Sequence, residues 1–387
     1  MKKPLIPITK PTLNNQEIIE IEKVLKSGWI TQGPKVRFFE DSFAKFTGAK
    51  FAVAVSNCTT GLHLALKALG VQEGDEVITV SHSYIATANS IRYCGAIPVF
   101  VDIDINTYNI DHKYIEDSIS KRTKLIMCVH QMGMPCNINS ILQIANKYNI
   151  PVLEDAACAI GSELLYKDKW EKIGKPHSDI SCFSFHPRKV LTTGEGGMLT
   201  TNSAQVAKKL RLLRHHGMSI SDLDRHNTKE LVFEDHILLG FNYRLTDIQA
   251  AMGIAQLKKI EKIVKQRRII AKNYFEILKN IDELILPTEP SWAKSNWQSF
   301  CVKLVDNIDR DSVMQYLKRE NISTKRGIMC AHLETVYKTE PWKARQALSK
   351  SKIARDNSLI LPLFNDLKYE SQKYIGEKLK LAINTLK

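Results

Sequence analysis

The residue with the clearest capacity for chemistry is Lys189, which follows an apolar segment and precedes a glycine-rich turn. It lies within Ser-Cys-Phe-Ser-Phe-His-Pro-Arg-Lys-Val-Leu-Thr-Thr-Gly-Glu-Gly-Gly, residues 181–197. The apolar segment predicts a strand, so this lysine would stand near a strand end, in a cleft. Burial or a neighbouring cation would lower the pKa of its amine, and a neutral amine attacks carbonyl groups to form a Schiff base. An ordinary surface lysine remains the alternative when this segment is taken alone.

A carboxylate ends a second apolar run. The sequence Ile-Pro-Val-Leu-Glu-Asp, residues 150–155, predicts a buried strand that presents Glu154 and Asp155 at its carboxyl end. Open α/β sheets bind ligands at such ends. Chemistry on pyridoxal phosphate (PLP) requires a lysine for the Schiff base and a carboxylate that keeps the pyridine nitrogen protonated. Asp155 and Lys189 meet both requirements, although Asp155 could equally cap the helix that follows it.

A third segment can hold the phosphate of such a cofactor. A predicted strand over residues 51–55 leads through a turn rich in capping residues into an amphipathic helix over 62–69. The start of a helix offers unpaired N–H groups and the positive end of a dipole, which together bind phosphate. The hydroxyl groups of Thr59, Thr60 and Ser184 could add ligands. The turn matches neither a Walker A loop nor a dinucleotide-binding glycine motif.

The elements that must position these residues alternate along the chain. Short apolar strands at residues 76–80, 97–101 and 125–129 are separated by amphipathic helices, which predicts a largely parallel sheet covered by helices on both faces. Beyond about residue 250 we expect a smaller α+β unit with these elements: a long helix over 246–280, strands over 298–304 and around Ile322, and a last helix from Tyr369.

Taken in order, these motifs resemble the DegT/DnrJ/EryC1/StrS family of PLP-dependent sugar aminotransferases. The matching segments span nearly the whole chain and cover residues 27–33, 81–89, 153–157, 181–197, 240–250 and 361–364. The resemblance implies an aspartate aminotransferase-like fold (PLP fold type I), with a mostly parallel sheet between helices in a large α/β domain. The pattern of strands and helices places that domain at residues 1–250, and the connecting helix and small C-terminal α+β domain at 251–387.

The resemblance also implies roles for single residues. Lys189 would bind PLP and then move the proton between the substrate carbon and the cofactor carbon, and Asp155 would pair with the pyridine nitrogen. Asn242 matches an asparagine that reaches the cofactor phosphate of the neighbouring subunit, so a homodimer with shared active sites is expected. The implied cofactor-binding set is Thr59, Thr60, Tyr84, Asp155, Cys158, Ser184, Lys189 and Asn242, with Tyr84 stacked on the ring.

One position departs from the family pattern. The family often has glutamine or histidine three residues after the aspartate, where it touches the ring oxygen of the cofactor. This chain has Cys158, a poor hydrogen-bond donor, so cofactor electronics or substrate fit could differ. A branch that dehydrates sugars has histidine in place of the lysine, and Lys189 therefore favours transamination.

Other residues fall in segments that resemble substrate-facing loops. An arginine there could clamp a phosphate or a carboxylate through two hydrogen bonds. A surface charge or a structural ion pair is the alternative for each charged member. The candidate substrate residues are Trp29, His186, Arg244, Lys325, Arg326 and His332.

Composition narrows the class of protein. The 387 residues include 55 Lys and Arg against 41 Asp and Glu, and the resulting formal charge of +14 favours anionic partners. Basic and apolar residues alternate at helical spacing over 258–268, which indicates a solvated helix face, so nucleic acid is not the expected partner.

The eight cysteines form no C-x-x-C pair and no metal site is expected. The first residues lack the apolar core of a signal peptide, and no run is long enough to span a bilayer, so we expect a cytoplasmic protein.

Three functions stay open on the sequence. In the first, L-glutamate gives its amino group through PLP to a nucleotide-linked 4-keto or 3-keto deoxysugar destined for surface polysaccharide or glycan. In the second, the acceptor is a small phosphorylated ketone. In the third, the chain is a regulator that binds PLP and nucleic acid.

Overall fold

A large central sheet organises the computed structural model, which describes residues 4–220, 225, 228, 231 and 233–386. Its strands, in spatial order, are β1 (Phe51–Val55), β9 (Gly197–Thr201), β8 (Ile180–Ser184), β5 (Val152–Asp155), β4 (Thr123–Val129), β2 (Glu76–Val80), β3 (Ile97–Val101) and β14 (Lys343–Ala344). Strand β9 runs antiparallel to β1 and β8, and the remaining neighbours pair in parallel. The expected α/β fold with a mostly parallel sheet is confirmed.

Helices cover both faces of this sheet because alternate strand residues point to opposite sides. In β1, Ala52 and Ala54 join one buried cluster, whereas Val53 and Val55 join another on the opposite face. Apolar strands buried on both faces are typical of parallel sheets under two helical layers. The helices up to the connecting segment are α1 (Asn15–Ser27), α2 (Pro34–Thr47), α3 (Cys58–Ala68), α4 (Ala86–Tyr93), α5 (Ile138–Lys147), α6 (Ala204–Leu213) and α7 (Asp247–Leu257).

The expected long helix over 246–280 is wrong in one respect, because it is two helices. Helix α7 ends at Leu257, and α8 (Ile260–Leu278) begins after Lys259, whose backbone is not helical. The Lys259 amine lies 2.5 Å from the carboxylate of Glu17 in α1, which also accepts a hydrogen bond from Gln256 at 2.7 Å. The break between α7 and α8 therefore lies where Gln256 and Lys259 both contact the buried carboxylate of Glu17.

The C-terminal part contains a second sheet, which is antiparallel. Its strands, in order, are β10 (Leu284–Ile285), β12 (Phe300–Leu304), β15 (Ser358–Leu361) and β13 (Lys325–Arg326). The expected strand at 298–304 starts only at Phe300, since Trp297 has a φ of 51° that breaks the extended backbone. Ile322 makes an isolated bridge with Ile6 instead of belonging to a strand. Helices α9 (Arg310–Arg319), α10 (Ser349–Asn357) and α11 (Tyr369–Thr385) complete this part.

Segments pass between the two parts of the chain. Strand β14, at residues 343–344, extends the large sheet next to β3, although the rest of the chain around it belongs to the C-terminal part. A third sheet joins β11 (Ala293–Lys294) to the hairpin of β6 (Glu163–Tyr166) and β7 (Lys169–Lys172). These connections attach the C-terminal part to the first part of the chain at two places. Within the described ranges, none of the helices combines the length and apolar composition required to cross a membrane.

Candidate active site

The carboxyl ends of three strands meet at one edge of the large sheet. Strands β1, β8 and β5 all point toward this edge, because β1 and β8 both run antiparallel to β9 and β5 runs parallel to β8. Val55 and Ser184 pair with Gly197 from opposite sides, and Asp155 pairs with Cys182. The topology thus places the start of α3, Ser184 and Asp155 next to one another.

The start of α3 forms a cradle of backbone donors. The side chain of Asn57 accepts a hydrogen bond from the Thr60 N–H at 2.9 Å, while the Thr60 hydroxyl donates to the Asn57 carbonyl at 2.8 Å. The other N–H groups of the first turn have no partner within the helix. A Cβ on Gly197 would lie 2.8 Å from the Asn57 backbone, so only glycine lets β9 approach the cradle this closely. Thr59 and Thr60 stand in this first turn, and Ser184 ends the neighbouring strand.

Asp155 is buried with neutral donors around its carboxylate. The Thr87 hydroxyl donates to Oδ2 at 2.8 Å, and the Ala157 N–H donates to Oδ1 at 3.2 Å. Burial raises the pKa of this carboxyl above its ordinary value, against the lowering effect of these two hydrogen bonds. A buried carboxylate that is held only by neutral donors favours a cation beside it.

Lys189 stands in a turn just after β8, with its side chain directed back toward the strand ends. Its N–H donates to the His186 carbonyl at 2.8 Å, and its amine lies 3.0 Å from the thiol sulfur of Cys158. Burial lowers the pKa of the amine, but Cys158, Cys58 and Asp155 raise it, so that the net pKa lies above the ordinary value for lysine. The expectation of a lowered pKa is therefore wrong for the protein without cofactor, because these acidic groups outweigh burial.

Cys158 lies in a loop that the C-terminal part fixes in place. The side-chain amide of Asn296 donates to the carbonyl groups of Cys158 and Ile160, both at 2.8 Å. Asn296 also accepts a hydrogen bond from the Gln298 N–H at 2.8 Å. The thiol beside Lys189 is thus positioned from both parts of the chain.

Two further candidates lie around the β2 end. Tyr84 comes just before α4 and leaves 63% of its surface exposed, so its ring is available to a neighbouring group. His332 is fastened differently: its Nδ1 lies 2.5 Å from the Ser81 hydroxyl, and its ring packs near Trp342. Both flank the same sheet edge, with Tyr84 exposed and His332 half-buried.

Three candidate residues lie near the start of α7: Asn242 and Arg244 in the segment that leads into this helix, and Trp29 in a loop that is attached to it. Asn242 is exposed and pairs through its backbone with His215. The guanidinium of Arg244 lies 2.8 Å from His215 Nδ1. Trp29 donates through its indole N–H to the Gln32 carbonyl at 3.1 Å. Asp247 Oδ1 accepts from the Gly33 N–H at 2.9 Å, which attaches the 29–33 loop to α7.

Cationic side chains gather next to the Lys189 turn. Lys325 and Arg326 form β13, and Arg188 lies across from Lys325 in a pocket that both line. His186 accepts a hydrogen bond from the Arg188 N–H at 3.2 Å. Burial lowers the pKa of Lys325 to about 8, with further lowering by Arg188, Lys189 and Arg326. This group of cations therefore favours anions.

These residues fit PLP in three respects. The start of α3, with hydroxyl groups at Thr59 and Thr60, suits a phosphate. The Asp155 carboxylate needs a cation, which a protonated pyridine nitrogen would provide. The amine of Lys189, whose pKa is raised in part by the charge of Asp155, would form the Schiff base with the cofactor.

Comparison with known proteins identifies the family. The model of the DegT/DnrJ/EryC1/StrS aminotransferase family matches residues 11–380, and the chain belongs to this family. An uncharacterised protein from Methanocaldococcus jannaschii is 43% identical over 87% of each chain. The spore coat polysaccharide biosynthesis protein SpsC of Bacillus subtilis is 39% identical, over 87% of this chain and 86% of SpsC.

Solved structures agree with this assignment. PseC of Helicobacter pylori, an aminotransferase involved in the biosynthesis of pseudoaminic acid, superposes with a TM-score of 0.88 at 27% identity, covering 98% of this chain and all of PseC. Spr1654 of Streptococcus pneumoniae, assigned as a sugar aminotransferase and solved in its PLP form, gives a TM-score of 0.90 at 26% identity, covering 99% of this chain and 100% of that chain. The protein is a sugar aminotransferase of fold type I, and its cofactor is PLP.

Two residues of the site were missed by the sequence analysis. Thr87 touches Asp155 across 68 positions of sequence, and its only early signal is its place in the first turn of a helix after Tyr84. Arg188 directly precedes Lys189, and this position alone could have drawn attention to it. The contact of Thr87 with Asp155 and the shared pocket of Arg188 and Lys325 do not follow from spacing, because each depends on how distant segments meet.

Proposed function

We propose that this enzyme moves the amino group of L-glutamate to a nucleotide-linked 4-keto or 3-keto deoxysugar used in surface polysaccharide or glycan. The observation that carries the proposal is the set of an amine, a buried carboxylate and a helix start at one sheet edge. The names of two relatives, one concerned with spore coat polysaccharide and one with pseudoaminic acid, support an acceptor that is a sugar.

The proposed roles divide between holding the cofactor and moving protons. When bound, PLP supplies the electron sink for the reaction. Asp155, fixed by Thr87, would pair with the protonated pyridine nitrogen. Lys189 would accept and return a proton at the substrate carbon, for which its amine must be neutral. Burial lowers its pKa, and pairing Asp155 with the pyridine nitrogen removes part of the opposing effect.

Binding of the remaining cofactor groups is assigned to residues of the same edge. Thr59, Thr60 and Ser184 would hold the phosphate, and the exposed ring of Tyr84 would cover one face of the pyridine ring. Cys158 would face the ring oxygen of the cofactor, to which its thiol is only a poor hydrogen-bond donor. The Asp155 end of the site is screened from water, because Asp155 and the strands on either side of it are buried.

A homodimer with shared active sites belongs to the proposal. Large apolar side chains in the segment before Asn242 are exposed, which supports an interaction surface there. They are Leu231 (85% exposed), Phe233 (80%), Ile237 (55%) and Leu239 (89%). Asn242 lies at the end of this segment and would reach the partner's phosphate site. We also propose that the enzyme acts in the cytoplasm, where nucleotide-linked sugars would be available.

The test is the visible spectrum of the purified protein before and after L-glutamate is added without an acceptor. Loss of the yellow band with release of 2-oxoglutarate is expected. Keto-sugars are then screened for recovery of the band, and competition by free UDP distinguishes a nucleotide-linked acceptor from a small phosphorylated ketone. Lys189→Ala should abolish turnover, and normal turnover in that variant would refute the assignment.

A further inference from the structure

Two cations from different parts of the chain meet in one pocket beside the reactive lysine. The pocket is lined by Ile8, Thr9, Arg188, Gln298, Ser299, Lys325, Ile360, Leu361 and Leu363. Among the described residues, neither Arg188 nor Lys325 has an acidic group within ion-pair distance. Arg188 is exposed, but Lys325 is half-buried, and most other half-buried cations, such as Arg268 with Glu163, have such a partner.

The position of Arg188 is fixed by its neighbours on both sides. Its carbonyl accepts a hydrogen bond from the Gln298 side chain at 2.9 Å, and Gln298 in turn accepts from the Ser299 hydroxyl at 3.0 Å. The C-terminal part therefore holds the backbone of the Lys189 turn against the wall that carries Lys325. The two cations stay close together despite their repulsion, an arrangement that an anion between them would stabilise.

We propose that Arg188 and Lys325 form the subsite that binds a carboxylate of the amino donor. This inference rests on the proposed function and names the group that selects its donor. The two positive charges would fix the donor with its amine directed at the position of Lys189. The remaining walls, Ile8, Ile360, Leu361 and Leu363, are apolar and suit the methylene groups of a dicarboxylic amino acid.

The distance from the reacting atoms favours a carboxylate over a phosphate of the acceptor. In an amino acid, the carboxylate and the amine are bonded to the same carbon, so the anion must lie beside the reacting centre. In a nucleotide-linked sugar, the ring separates the keto carbon from the diphosphate. Arg188 adjoins Lys189 in the sequence and lines the same pocket as Lys325, so the subsite begins next to the residue that carries the reacting amine.

The inference is tested by binding glutarate, a dicarboxylate without an amine, to the PLP-loaded enzyme. Calorimetry is performed on wild type, Arg188→Met and Lys325→Met, with Lys352→Met as a control because that lysine is exposed on α10. Each subsite substitution should lower the affinity for glutarate about tenfold or more, because a hydrogen bond to a charged group is lost. The Lys352→Met control should have the affinity of wild type. UDP is titrated in parallel, and its affinity should change little.

The same proteins are then mixed with L-glutamate and followed by the yellow band. A wild type that binds neither glutarate nor glutamate would overturn the proposed donor together with this subsite. A wild type that reacts with glutamate, with both variants unchanged, would overturn the subsite alone. Loss of UDP binding without loss of glutarate binding would also overturn it, because the cations would then serve the phosphates of the acceptor. Lys325 lies far from the Lys189 turn in sequence, so its variant is informative even where Arg188→Met disturbs that turn.

Discussion

The amine of Lys189 lies 3.0 Å from the thiol sulfur of Cys158, so the lysine shares its surroundings with an acidic group as well as with Asp155. The pKa of Lys189 is lowered by burial but raised by Cys158 and other acids, with a net rise. Cys158→Ala should therefore lower the pKa of this amine. Since only the neutral amine captures PLP, the pH profile of PLP uptake by the cofactor-free protein should move to lower pH.

Cys158→Ser is the matched control, because it keeps a small polar side chain at the same place while removing the acidic thiol. It should behave like the alanine variant if charge is the cause and like wild type if only a polar contact matters. An uptake profile that is identical in all three proteins would show that Cys158 does not control the lysine.

The hydrogen bond from Thr87 to Asp155 leads to a second prediction. In Thr87→Val the carboxylate loses its 2.8 Å donor, and a hydrogen bond to a charged group contributes roughly 1.5–3 kcal/mol. PLP should bind about ten- to a hundredfold more weakly, as measured by equilibrium dialysis. Thr87→Ser keeps the hydroxyl and should bind PLP nearly as wild type does.

This pair also fixes the sign of a pH effect. Burial raises the pKa of Asp155, and the carboxylate form is the one that pairs with a protonated pyridine. Cofactor affinity should therefore fall as the pH drops through that pKa. Thr87→Val removes a group that lowers the pKa, so the fall should begin at higher pH than in wild type. An unchanged acid limb would argue against direct coupling between Thr87 and the cofactor.

Much of the fold could be predicted from the sequence because its signals are local. Asp155 ends an apolar run, which fixes it at a strand end, and the capping residues around Asn57 fix the start of α3. The break between α7 and α8 could not be predicted, because it depends on the distant carboxylate of Glu17. The pairing of Arg188 with Lys325 in one pocket was missed for the same reason.

A buried ion pair supports the layer behind the cofactor site. The Arg214 guanidinium pairs with the Glu40 carboxylate and donates to the Ala54 carbonyl at 2.6 Å, while Glu40 accepts from the Ala54 N–H at 2.8 Å. Glu40→Gln would leave a buried guanidinium without its counter-ion, and breaking such a pair costs about 3–5 kcal/mol. Denaturant unfolding should show a clear loss of stability.

The exposed pair Lys26–Glu22 on α1 provides a matched control. Its side chains are 74% and 55% exposed, and an i,i+4 pair of this kind contributes about 0.3–0.5 kcal/mol. Glu22→Gln should therefore be close to wild type in the same measurement. A Glu40→Gln protein as stable as this control would contradict a structural role for the buried pair.

The titration of Lys325 gives the last prediction, which concerns pH. Its pKa is lowered to about 8, first by burial and then by the charges of Arg188, Lys189 and Arg326, with Cys158 acting in the opposite direction. Because the ammonium form attracts a carboxylate, glutarate affinity should decrease as the pH rises through this value, and bound anion should move the midpoint upward.

Lys325→Arg keeps its charge to higher pH and should lack this decrease, while Lys325→Met should bind weakly at every pH. Calorimetric titrations of the PLP-loaded proteins between neutral and alkaline pH distinguish these cases. A wild type and a Lys325→Arg variant with the same alkaline decrease would show that another group, and not Lys325, carries the pH dependence.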